Sequence, residues 1–183
     1  MSDFQNQLLK GEKILWTGRP AQGVLLTSRD WFLVPFSLFW CGFAFFWEGM
    51  VASSPKSPDF MKLFGIPFVL IGLYFVAGRF FVDAWVRGGL RYAVTNKRAL
   101  ISRTKPFAKF SAMNLRQAQE IALTMRSDGR GTIRFGAQPT IWAQNNGFAY
   151  MTPSLDPVMQ FIAIDDAQKV YRLVQQAAQE GEE

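Results

Sequence analysis

Hydrophobic and polar positions divide this chain into three regimes. Up to residue 29 they are mixed and no apolar core develops. From Trp31 to Trp47 the run WFLVPFSLFWCGFAFFW carries no charge, and beyond Glu48 it continues through Gly49, Met50 and Val51. A second run, Leu63 to Val82, is broken only by Arg79. A helix of roughly 20 residues crosses about 30 Å of hydrocarbon, so segments 31–51 and 63–82 are both long enough to span a bilayer. The Ser- and Pro-rich segment 52–62, ASSPKSPDFMK, sets them antiparallel as a hairpin. Ser28 or Asp30 is placed to cap the first helix. Pro35 and Pro67 fall near the helix starts, where a missing N–H costs least. Arg79 lies close enough to the end of its run to extend its head toward lipid phosphates.

The competing reading, a buried helix pair in a soluble protein, needs an apolar partner surface that the rest of the chain does not offer. A secretory signal is not expected, because the first 30 residues are polar and charged throughout. The connecting loop holds Lys56 and Lys62. The flanks hold Lys13, Arg19 and Arg29 on one side and Arg79, Arg87, Arg91, Lys97 and Arg98 on the other. By the positive-inside rule both termini face the cytoplasm. The expected organisation is therefore a cytoplasmic N-terminal segment (1–29), a transmembrane hairpin (30–83) with an external loop (52–62), and a cytoplasmic domain (88–183). Trp31, Trp47 and Trp85 stand where interfacial anchors belong. Trp16, between Lys13 and Arg19, reads equally as an anchor or as part of a strand packed on the domain.

Beyond Arg87 short β-like pieces alternate with turns. Leu90 to Val94 and Ala99 to Ser102 flank a Thr95-Asn96-Lys97-Arg98 connection in which Asn96 is expected to take a left-handed or near-left-handed backbone. Phe110 to Leu115 follows. Ile121 to Met125 and Thr132 to Phe135 bracket Ser127-Asp128-Gly129-Arg130-Gly131, a hairpin whose glycines suit positive φ. Further strands are predicted at 140–143, 148–151 and 159–164, with a turn at 144–147. Asp165 followed by Gln168 reads as a capping box that opens a C-terminal helix, with Val170, Tyr171, Val174, Ala177 and Ala178 on its inner face.

Strands closed by one amphipathic C-terminal helix are the plan of a pleckstrin-homology-like (PH-like) barrel. The segment Arg91-Tyr92-Ala93-Val94-Thr95-Asn96-Lys97-Arg98-Ala99-Leu100-Ile101 resembles the tyrosine, threonine-asparagine and arginine signature of bacterial PH-like membrane proteins. Gly11 to Pro20 (GEKILWTGRP) and Ile162 to Val174 agree with the same family, so the resemblance covers nearly the whole chain. It implies an α+β membrane protein, with a two-helix transmembrane hairpin followed by a PH-like β-barrel or sandwich with a capping helix. It also implies residence in the bacterial cytoplasmic membrane and no established enzymatic activity.

Composition narrows the chemistry. With no histidine, the commonest general base and metal ligand is missing. The single cysteine, Cys41, sits in an apolar run and reads as a packing residue. No enzyme, metal or cofactor is therefore expected. The 18 Phe and 6 Trp crowd between Trp31 and Trp85, while between Arg79 and Arg134 twelve Lys or Arg face three Asp or Glu. A positive-inside membrane protein accounts for that charge without nucleic acid. GRGTIRFG lacks the spacing of a phosphate-binding loop, and no small-molecule substrate is indicated. Within the basic stretch Arg98, Arg103, Lys105 and Lys109 are the candidates for contact with membrane lipid. The expected function is a membrane-anchored interaction or scaffold module that contacts anionic lipid and binds a protein partner or its own copies as a homo-oligomer. The alternative is an accessory subunit of a membrane enzyme or transport system.

Overall fold

The computed structural model describes residues 4–118, 120–136 and 152–179. The chain is α+β: two long apolar helices, followed by two antiparallel sheets. It divides into a helical unit, residues 24–82, and a β unit, residues 1–23 and 83–183. The N-terminal segment is thus not a separate region. It forms part of the β unit, and the helices are inserted between its first and second strands.

In the helical unit α1 spans Asp30–Ser53. The second helix runs from Asp59 as α2 (Asp59–Leu73), passes through a wider π turn (Tyr74–Gly78) and continues as α3 (Arg79–Gly88). Both helices exceed the apolar runs that predicted them. Asp30 and Asp59 occupy first turns, where negative charge is favoured by the helix dipole. Pro58 stands just before α2, a position from which a helix can begin but not continue backwards. The connection shrinks to residues 54–58.

The two helices meet closely at Gly72, where a Cβ would lie 3.1 Å from the Cα of Cys41. Cys41 is itself buried, in keeping with a packing role. Their outer surface is different: Phe39, Phe46, Leu63 and Leu70 are all exposed, and only 17% and 11% of the most apolar windows of the two helices is buried. Such helices are long and apolar enough to cross a membrane, and most of their apolar surface is left uncovered among the described residues.

In the β unit, the first sheet has the order β1 (Ile14–Gly18), β2 (Leu90–Thr95), β3 (Arg98–Arg103) and β4 (Lys109–Asn114). The second has the order β5 (Ile121–Met125), β6 (Gly131–Phe135) and β7 (Gln160–Ile164). The strands predicted at 140–143 and 148–151, and the turn between them, lie outside the described residues. Alternation along β2 places Leu90, Tyr92 and Val94 in the main core, while Ala93 on the opposite face joins Leu100 under Phe4 and Leu8. N-terminal residues therefore cover the outer face of the first sheet. Phe161 centres the main core, with ring centroids 4.7 Å from Tyr92, 5.0 Å from Phe135 and 5.8 Å from Trp16. The Tyr92 hydroxyl accepts the Ile162 N–H at 3.3 Å and so joins the two sheets, and burial pushes its ionisation upward.

The C-terminal helix, α4 (Ala167–Gln179), packs on β5 and β6 through Ala167, Val170, Val174 and Ala177, largely the face predicted by its periodicity. Gly131 takes no positive φ. It is small because a Cβ there would meet the Ala167 Cβ at 2.6 Å, and only Gly129 (φ +82°) supplies the left-handed turn position. The capping box does not form. The Asp165 carboxylate takes the Arg130 guanidinium at 3.1 Å instead, and α4 opens after Asp166, whose carbonyl accepts the Lys169 and Val170 N–H groups.

Candidate functional site

Four of the polar clusters among the described residues decide which of the predicted basic residues are available to an outside partner. The first closes the β2–β3 turn. Asn96 is not in the left-handed region. The Thr95 hydroxyl oxygen accepts the N–H groups of Lys97 (3.1 Å) and Arg98 (2.8 Å), which shapes the turn without positive φ. Asn96 instead receives the N-terminal segment: its Oδ1 accepts the Lys13 N–H at 2.9 Å, and its own N–H donates to the Lys13 carbonyl.

Beneath this turn lies Glu12, 7% exposed, which takes the Arg98 guanidinium at 2.6 Å and the Thr95 hydroxyl at 2.7 Å. Burial alone would raise the pKa of Glu12. The hydrogen bonds from Arg98, the Leu9 N–H and Thr95, together with the Arg98 charge, overcome that and hold it at about 2. Arg98 is correspondingly held protonated by Glu12. The expectation that Arg98 contacts lipid is corrected on this ground, since its guanidinium is committed to a carboxylate inside its own unit.

The second cluster lies where α3 enters the β unit. Arg87 is fully buried and donates to Asp83 Oδ2 at 2.6 Å, to the Gly23 carbonyl at 2.5 Å and to the Ala21 carbonyl. Asp83 Oδ1 accepts the Ser154 N–H at 3.1 Å. The pair thus fastens the N-terminal segment and the turn at 152–155 to the end of α3. A third cluster, in the helical unit, joins Arg79 to Asp30 at 2.6 Å, with both residues buried. Arg79 also donates to the Phe75 carbonyl and lies 4.4 Å from the Phe80 ring centroid. It does not extend outward, because its counter-ion is supplied by the facing helix.

The fourth cluster is the loop end of the β3–β4 hairpin, at residues 103–110. Arg103 and Lys109 are cross-strand partners there. Beyond them Lys105 and Phe107 are exposed, Phe107 to 78%, and Phe110 is also exposed. The Lys105 ammonium stands 5.9 Å from the ring centroid of Trp85, which is half exposed on α3, three residues past Val82. Three of the four predicted lipid-contact residues are therefore brought together, along with two phenylalanines that charge counting overlooked. The signal was present in the alternation of RTKPFAKF.

The chain matches no protein-family model, no curated protein and no solved structure. No relative supplies a function, and the site's chemistry has to carry the reading.

The predicted anchors separate in the same way. Trp31 is 90% exposed at the start of α1. Trp47 packs edge-on against Phe64 of the facing helix, with centroids 6.5 Å apart. Trp16 is on β1 and half-buried against Phe161, so the strand reading replaces the interfacial one. The reason is register: residues 16, 17 and 18 pair with 94, 93 and 92, which turns the indole toward the core.

Proposed function

We propose that the chain is a membrane-anchored, PH-like interaction module of the bacterial cytoplasmic membrane, in which both termini are cytoplasmic and the β3–β4 hairpin end contacts anionic lipid. The apolar hairpin supports the anchoring, since its exposed phenylalanines and leucines require a hydrocarbon environment. The strands closed by α4 agree with the PH-like plan, and binding of a protein partner or a second copy falls to the rest of the β unit. The observation that carries the lipid reading is the joint exposure of Lys105, Phe107 and Trp85. Aromatic rings beside basic side chains, with Trp85 one turn past the apolar run 63–82, fit the headgroup level. Each such cation near an anionic leaflet contributes about 1 kcal/mol, which suffices to orient a domain already held by its tether.

The test uses the full chain in nanodiscs, with a nitroxide at Ala108→Cys in a Cys41→Ala background. With anionic lipid the label is expected to become accessible to oxygen and protected from an aqueous nickel chelate. Neutral lipid, or the added pair Lys105→Ser and Lys109→Ser, should leave it in water. A label that stays equally aqueous in anionic and neutral discs rejects the lipid contact.

A further inference from the structure

We infer that the cleft between the two sheets is a binding site for a small anionic amphiphile, whose phosphate or carboxylate sits between Arg103 and Lys109 and whose hydrocarbon lies against the apolar lining. The cavity has a volume of about 420 Å³, within the range of ligand pockets, and is bounded by β2, β3, β4, β6 and β7 and by the segment 153–159. Leu90, Ile101, Met113, Phe135 and Met159 supply its apolar walls, and all of it belongs to the β unit.

The polar part of the lining lacks its complement. Arg103 and Lys109 face each other across β3 and β4, and like charges placed directly opposite destabilise a sheet unless an anion intervenes. Neither forms an ion pair among the described residues. Arg103 Nε is buried with no hydrogen-bond partner, and so is the hydroxyl of Ser154, a residue only 8% exposed that also lines the cavity. A buried donor without an acceptor keeps its full desolvation penalty, and an anion with several acceptor oxygens relieves this at both groups.

The acidic member of the lining, Asp156, does not supply that anion. Its Oδ2 is taken by Arg134 at 3.2 Å and its Oδ1 by the Val158 N–H at 2.9 Å. Charge complementarity selects an anion, and the five apolar walls select one that carries hydrocarbon. The site goes beyond the surface contact proposed above: it shares Lys109 with that contact, but Arg103 and the apolar walls belong to the cleft alone, and neutral lipid in the test removes the surface contact from the readout.

The experiment follows methionine methyl resonances of the full chain in nanodiscs of neutral lipid. Met113 and Met159 line the cleft, whereas Met125, exposed on β5, does not. The probes are hexyl phosphate, hexanol and inorganic phosphate. Hexyl phosphate is expected to shift Met113 and Met159 saturably while Met125 stays still, with hexanol and inorganic phosphate binding about tenfold or more weakly. Arg103→Gln should weaken hexyl phosphate about tenfold, and Lys109→Gln, at an exposed edge position where the fold is not at risk, should do the same. Parallel movement of Met125, or unchanged affinity in the Lys109 variant, would mean partition without a site. Equal binding of inorganic phosphate would reduce the site to a bare anion contact and overturn the amphiphile.

Discussion

Replacing Arg87 by Met should destabilise the β unit by about 3–5 kcal/mol, the usual cost of removing one partner from a buried ion pair. Three acceptors lose a donor at once: the Asp83 carboxylate and the carbonyls of Ala21 and Gly23. Asp83 would keep only the Ser154 N–H for a charge that is 4% exposed. Hydrogen exchange of the β2 and β7 amides in the reconstituted protein reads the loss directly. Adding Asp83→Leu to Arg87→Met removes the stranded charge and should recover part of the stability, because the pair itself is a weaker contributor than its breakage suggests. Protection that is unchanged in the single variant would show that the cluster does not fasten the N-terminal segment.

The second large effect depends on pH. Glu12 ionises at about 2 in the folded protein against an ordinary value of 4.5. The unfolded chain therefore takes up its proton first as pH falls. The stabilisation is fully present above pH 4.5 and is lost progressively as pH falls toward about 2. The difference corresponds to roughly 3 kcal/mol. Glu12→Gln should flatten stability across that window. Arg98→Met should narrow it from the other side, since burial without the guanidinium raises the pKa of Glu12. A wild-type profile that follows the Gln variant between pH 5 and 2 would sink the assignment.

The elements legible in the sequence were those whose signal is local. Long uncharged runs marked both helices, the β5–β6 hairpin showed in its glycine-containing turn, and α4 showed in the periodicity of Val170, Val174 and Ala177. What escaped was carried by distant partners. β1 was legible only as one of two equal readings of Trp16, since it is a five-residue strand with no strong pattern and its pairing strand begins at Leu90, beyond the whole apolar hairpin. Arg98 looked like one of a run of surface cations because Glu12 lies 86 residues earlier. Arg79 looked free because Asp30 is on the other helix. Asn96 carried the left-handed expectation that turn composition favours, yet the Thr95 hydroxyl provided the turn's hydrogen bonds by another route. Of the candidate site, its cations were legible and its phenylalanines were not, because charge was counted without the residues between.

Residues 88–183 alone would lack β1, Glu12, Asp83 and Arg87, and so would expose the edge of β2 and leave Arg98 without its counter-ion. Measurements on lipid contact therefore belong on the full chain.

The proposed anchoring requires the apolar hairpin to cross the membrane and return the β unit to the cytoplasmic side. Single cysteines at Ser57, in the short connection between α1 and α2, and at Ser127, in the β5–β6 hairpin, test it most directly in a Cys41→Ala background in intact cells. An impermeant maleimide is predicted to label Ser57→Cys from outside and to reach Ser127→Cys only after the membrane is opened. Labelling of Ser127→Cys in intact cells, with Ser57→Cys protected, would contradict the orientation, and equal labelling of both only after opening would contradict the crossing itself.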